Sequence, residues 1–177
     1  NIVDNIELLE NCNSNFENMN LTYAVRDGII SHCGEIDENC IKPRDNYIDL
    51  NDYNYPNQYN PYTWEGCVVK VSDKISYIIR DIEDAIYLHI IDNHLDELYN
   101  LLKYDKSQKI NNSNIINTLI YDICLNSSPE NGLRFSDENL NLLNDIKKFN
   151  YEHIYFNKHL QYPFSSRLQR CPNPNNC

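Results

Sequence analysis

Apolar positions recur at three- and four-residue intervals through nearly every segment of this 177-residue chain, the spacing of helices that bury one face. No stretch sustains the two-residue alternation and hairpin turns of a sheet. The pattern predicts an all-α protein. Ile2, Ile6 and Leu9 suggest a short first helix. Asn20 suits the N-cap of a second, with Leu21, Val25 and Ile29 on one face and Gly34 as its stop. From Glu35 to Pro61 the chain is rich in Asn, Asp, Tyr and Pro, and a loop of that length inside a domain points to function. The strongest helical signal runs from Tyr62 to Asn93. Further helices are expected over His94–Tyr104, Asn114–Leu125 and Ser136–Phe149, the last with Ser136 as N-cap and Glu138 in its first turn. Residues 1–160 then form one helical domain, and 161–177, with Pro-Phe-Ser-Ser and Cys-Pro-Asn-Pro-Asn-Asn-Cys, are expected to be a disordered or non-native tail.

On a helical wheel at about 100 degrees per residue, Ile75, Ile79, Ile82 and Ile86 fall on one side of the long helix. Asp73, Tyr77, Arg80, Asp81 and Asp84 fall nearly opposite, with Lys74 at their edge. By periodicity alone such a stripe is an ordinary solvated face. Its chemistry suits more than that, because carboxylates ligate hard cations and cationic or phenolic donors bind phosphate oxygens.

The net charge of -11 and pI near 4.7 exclude a general binder of nucleic-acid backbones. Any anionic ligand must find its cations locally. No apolar run approaches a membrane span and no secretory leader is visible, so a cytoplasmic location is expected. The seven cysteines, irregularly spaced and without a Cys-x-x-Cys pair, read as free and mostly buried thiols. His32, Cys33 and Cys40 make a poor zinc set because structural sites draw on paired, closely spaced ligands.

The wording of the long helix carries more than its periodicity. Pro61-Tyr62-Thr63-Trp64-Glu65-Gly66, Ser72-Asp73-Lys74-Ile75-Ser76-Tyr77 and Arg80-Asp81-Ile82-Glu83-Asp84 resemble the C-terminal core helix of the dGTP triphosphohydrolase-like HD phosphohydrolases. Asn20-Leu21-Thr22-Tyr23 and Asp27-Gly28-Ile29-Ile30-Ser31-His32 resemble the helix before it, and Phe135-Ser136-Asp137 and Phe149-Asn150-Tyr151 extend the likeness. The resemblance covers roughly residues 2–158.

It implies the later portion of an HD-domain helical bundle and a divalent cation, Mg, Mn or similar, held by a His, a His-Asp pair and a final Asp. Asp73 stands at that final position, as catalytic and metal-binding residue. Lys74 and Tyr77 would contact the triphosphate, Arg80 would add a phosphate contact, and Asp81 would meet the sugar hydroxyl. The implied reaction is hydrolysis of a deoxynucleoside triphosphate to deoxynucleoside and triphosphate, in a protein expected to be a homo-oligomer. The His and His-Asp of the pattern lie upstream in that family, and no His-Asp dipeptide occurs here. His89 falls about 160 degrees from Asp73 on the same expected helix and so cannot share a metal with it, and His32, His94, His153 and His159 match no ligand motif. The isolated chain is therefore expected to be inactive. Two alternatives stand beside this reading: a non-catalytic oligomerisation or regulatory module, and an HD-domain hydrolase of another phosphoester.

Overall fold

The computed structural model describes residues 2–6, 8–34 and 40–156. They fall into two units, one made of the described residues up to 74 with 127–134, the other of 75–126 with 135–156. The fold is mostly helical, as the periodicity predicts, with two small antiparallel ribbons. The expected tail over 161–177 lies outside the described residues. No helix among the described residues is long and apolar enough to cross a membrane.

The first unit begins with a π-helical turn at Ile2–Ile6. Leu9 is not on that turn, as its spacing suggests, but in strand β1 (Leu8–Glu10), which pairs with β2 (Phe16–Asn18). The Asn11 side-chain oxygen closes the hairpin by accepting from the amides of Asn13 and Asn15, a local bond that competes with helix. Three-residue strands are too short to show alternation.

Helix α1 (Tyr23–Ser31) has Thr22, not Asn20, at its N-cap; Asn20 turns the chain with φ of 45°. The buried face is also not the apolar one. Val25 and Ile29 are exposed, whereas Asp27, Gly28 and Ser31 are buried. Two local causes account for this. Gly28 faces Gly66 with room for little more than a methyl group: a Cβ on either would stand 3.7–3.8 Å from the other's Cα, and one on Gly66 would lie 2.7 Å from Pro61 Cβ. Asp27, moreover, is a hydrogen-bonding hub: its carboxylate accepts from the Arg44 guanidinium (2.5 Å) and from the Tyr62 amide (2.6 Å).

Arg44 also donates to the carbonyls of Asn46 and Asn60 and to the Tyr23 hydroxyl. The long polar loop is thus tied at both ends to α1. Within it, Leu50–Asp52 forms a 3-10 turn capped by Asp49, and Tyr47 stacks on Tyr23 at 4.0 Å. Strands β3 (Cys40–Ile41) and β4 (Leu133–Arg134) pair across the loop's start.

Helix α2 (Trp64–Tyr87) starts in the first unit and ends in the second. Ile75, Ile79 and Ile82 are buried as expected, together with Ile78; Ile86 is only half-buried. The helix is shorter than the expected Tyr62–Asn93 span. His89 takes a left-handed φ of 57°, the His89 amide bonds Ile86 O and the Ile90 amide bonds Ala85 O, which is the Schellman arrangement that terminates helices. His89 therefore stands beyond the helix, and the angular separation from Asp73 expected on a continuous helix does not apply to it.

Helices α3 (Leu95–Leu101), α4 (Asn112–Asn126) and α5 (Asp137–Asn150) complete the second unit; α4 and α5 match the expected spans to a residue or two, and α3 ends three residues before the expected Tyr104. Ser136 caps α5, accepting from the Asn139 amide. Leu98, Leu119, Leu143, Ile146 and Phe149 join the α2 isoleucines in the core. After α5 the chain continues as a second π-helical turn, Tyr151–Tyr155.

Arg44→Met is expected to destabilise the protein by about 3–5 kcal/mol, because it leaves the Asp27 carboxylate buried without its cation. The Asp27 side chain is 1% exposed and that of Arg44 10%. Urea unfolding followed by circular dichroism reads this directly. Lys103→Met, which removes an ion pair to Glu138 with both side chains 78% exposed, should leave the midpoint nearly unchanged.

Candidate functional site

The five residues singled out by sequence all lie on α2, with Asp73 and Lys74 in the first unit and Tyr77, Arg80 and Asp81 in the second. Asp73 is exposed and makes no hydrogen bond or ion pair among the described residues. It borders a largely apolar groove of about 730 Å³ between α1 and the first turns of α2, lined by Val25, Ile29, Val69 and His32 among others. This groove is where the apolar face of α1 goes. His32 Nδ1 lies 2.6 Å from Ile29 O, and its Nε2 lies 3.4 Å from Cys33 Sγ.

Asp73 and His32 are joined by no third ligand within reach among the described residues. A single exposed carboxylate is a weak site for a divalent ion, so the described residues do not by themselves fit the cation that the resemblance implies. Three other potential ligands do converge, His94, Glu97 and His153, all within 4.8 Å of one another.

Lys74 is buried, at 5% exposure, and so is Lys70 one turn earlier. Lys70 Nζ donates to Ser31 O, Cys33 O and Asn57 Oδ1 at 2.7–3.0 Å. Burial holds its pKa below the usual lysine value. Three acceptors satisfy all three of its protons, so Lys70 ties the end of α1 to the polar loop. Burial pushes the neighbouring Cys67 thiol up to about 12. Of the described cysteines only Cys67 is buried, while Cys12, Cys33 and Cys124 are exposed; the expectation of mostly buried thiols is corrected, and that of free thiols holds for these residues.

In the second unit Asp81 is half-buried and accepts a hydrogen bond from the Tyr155 hydroxyl. Burial, and then the Asp81 carboxylate, raise the Tyr155 pKa, with Tyr77 adding to the effect. Asn150, wholly buried, donates to Ile78 O at 2.8 Å and fixes the end of α5 against α2. Arg80 opens elsewhere, into a cleft of about 470 Å³ with Lys109 and the first residues of α4. There Asn112 Nδ2 donates to Glu83 at 2.9 Å. Two cations beside a helix start favour an anion, but Arg80 does not share this cleft with Asp81. Sequence reasoning gave no role to Tyr155, Lys109 or Arg44, and Lys70 and Asn150 stood only as members of segments that carry the resemblance, Lys70 in the run from Pro61 to Tyr77 and Asn150 in Phe-Asn-Tyr.

The chain is similar over most of its length to curated bacterial proteins named deoxyguanosinetriphosphate triphosphohydrolase-like protein. It is 30% identical over 162 residues to that of Clostridium tetani, covering 86% of this chain and 39% of the relative. It is 26% identical to that of Rickettsia bellii (85% and 41%) and 29% identical to that of Caldanaerobacter subterraneus (85% and 35%). The chain thus spans about two-fifths of the length of the relatives it matches. No protein-family model and no solved structure matches it.

In the folded protein at pH 8, Cys67 is expected to resist alkylation while Cys12, Cys33 and Cys124 are modified. With its pKa near 12, only about one Cys67 in ten thousand is thiolate at that pH. Mass spectrometry of digested, alkylated protein identifies the sites, and denaturation should make Cys67 react like the others.

Proposed function

We propose that this chain is the Asp73-bearing portion of a cytoplasmic enzyme that hydrolyses deoxynucleoside triphosphates, dGTP among them, to deoxynucleoside and triphosphate. The observation that carries the reading is the similarity along 85–86% of the chain to proteins named deoxyguanosinetriphosphate triphosphohydrolase-like. In the complete protein, assembled as a homo-oligomer, Asp73 supplies one ligand to a divalent cation whose other ligands come from outside this chain. The exposure of the carboxylate at the edge of a groove supports that role.

The substrate carries several negative charges and this chain has a net charge of -11, so binding depends on local donors. Lys74 and Tyr77 meet the triphosphate. A cation at low exposure is a stronger phosphate partner than one in bulk water, since the local dielectric is lower. Asp81 accepts from the sugar hydroxyl, with Tyr155 fixing its orientation through one carboxylate oxygen and leaving the other for substrate. Arg80 gives a further phosphate contact from the cleft it shares with Lys109.

The test joins this chain to the portion of the Clostridium tetani relative that it does not cover. The chimera is expected to release triphosphate from dGTP with manganese present, and the isolated chain to be slower by a factor of about a thousand or more. Positioning a metal and its water contributes several kcal/mol, at about 1.4 kcal/mol per tenfold in rate. In the chimera, Asp73→Ala should abolish turnover without altering the helical spectrum, and Lys74→Ala should raise KM more than it lowers kcat. Robust turnover by the isolated chain, or both substitutions proving silent in the chimera, would refute the proposal.

A further inference from the structure

We propose that His94, Glu97 and His153 form a binding site for a transition-metal ion of the zinc class, separate from Asp73 and independent of the activity proposed above. His94 closes the 3-10 turn Asp92–His94 and is the residue before α3; Glu97 comes three residues later, in the first turn of that helix. His153 comes from the π-helical turn after α5. Helices α3 and α5 pack against each other, which brings ligands far apart in sequence to one spot.

The geometry is near what a metal requires. His153 Nε2 lies 3.2 Å and His94 Nδ1 3.7 Å from the same Glu97 oxygen. Ligands at about 2.0–2.2 Å from a tetrahedral zinc stand about 3.3 Å from one another. The two imidazoles are stacked, with centroids 3.9 Å apart and planes 25° apart, so one ion in the plane of both requires the His94 ring to turn out of the stack. Turns of His94 and Glu97, whose side chains are 43% and 55% exposed, complete the convergence. His153 is more firmly seated, 16% exposed and packed on Phe149 at 4.7 Å.

Two imidazoles and one carboxylate are a donor set for zinc, cobalt, nickel or copper, and a poor one for magnesium or calcium, which require more oxygen ligands. The exposure of His94 and Glu97 leaves a coordination position for water. Occupancy would fix more than these three side chains. His153 and Tyr155 share one π-helical turn, so a metal on His153 holds the turn that brings the Tyr155 hydroxyl to Asp81.

The experiment uses the full chain, stripped of metal and kept reduced. Cobalt(II) titration is expected to give the visible ligand-field bands of a low-coordinate N/O site, saturating at one ion per chain and displaced by zinc. Zinc at 100 times its dissociation constant should shift the folded-to-unfolded ratio by about 100-fold, read as a higher melting temperature. Glu97→Gln and His94→Asn, both on exposed rims, should each abolish the bands while keeping the apo helical spectrum and melting temperature. His153→Ala should do the same, but the two rim variants keep the test decisive if that one fails to fold. Bands that persist in Glu97→Gln and His94→Asn would overturn the proposal. So would a thiolate charge-transfer band, which would assign the metal to cysteines, or loss of the bands in Asp73→Ala alone.

Discussion

A buried carboxylate must be given donors or it unfolds what surrounds it, and in the first unit that carboxylate is Asp27. It is satisfied by one guanidinium and one backbone amide. The amide belongs to Tyr62, two residues before α2 begins, and the guanidinium to Arg44, which directs its remaining donors to loop carbonyls and the Tyr23 hydroxyl. A single side chain therefore sets where the long loop leaves α1 and where α2 enters. Lys70 does the complementary work from the other side, a buried cation that collects acceptors from the end of α1 and from the loop. The interior of this unit is held by charge that is almost wholly locally satisfied, not by a large apolar core.

That organisation explains where hydropathy succeeds as a guide and where it fails. The second unit buries isoleucines and leucines at helical spacing, and there α2, α3, α4 and α5 were legible together with the Ser136 cap. In the first unit the rule is reversed on α1, because the face that packs contains Asp27, Gly28 and Ser31. Their partners lie well along the chain, in a loop whose composition reads only as irregular. Glycine at 28 and 66 signals a close approach only once the two helices are known to meet. No local pattern holds that information.

The candidate residues show the same division. Helical spacing put Asp73, Lys74, Tyr77, Arg80 and Asp81 on one polar stripe, and they do occupy successive turns of α2. A wheel cannot say that Lys74 is buried, that Arg80 opens beside the start of α4, or that Asp81 is engaged by a tyrosine from beyond α5. Each depends on what the rest of the chain lays against the helix. The strongly negative composition makes these placements matter, because every cation held near an anion is drawn from a small supply.

The π-helical turn at Tyr151–Tyr155 has a consequence for how this sequence can vary. There the Phe156 amide reaches back to Tyr151 O, one residue farther than in an α-helix, so the turn accommodates an additional residue in the helical path. Deleting one residue would let the segment relax into continuous α-helix at no loss of backbone bonding. Because the widened turn is what absorbs that residue, the chain beyond it would keep roughly its place, and the deletion would be felt inside the turn, where Tyr155 reaches Asp81 and His153 packs on Phe149. The turn is thus a place where the chain can lose a residue and keep its helical path, and what such a change costs is the side-chain contacts made within it.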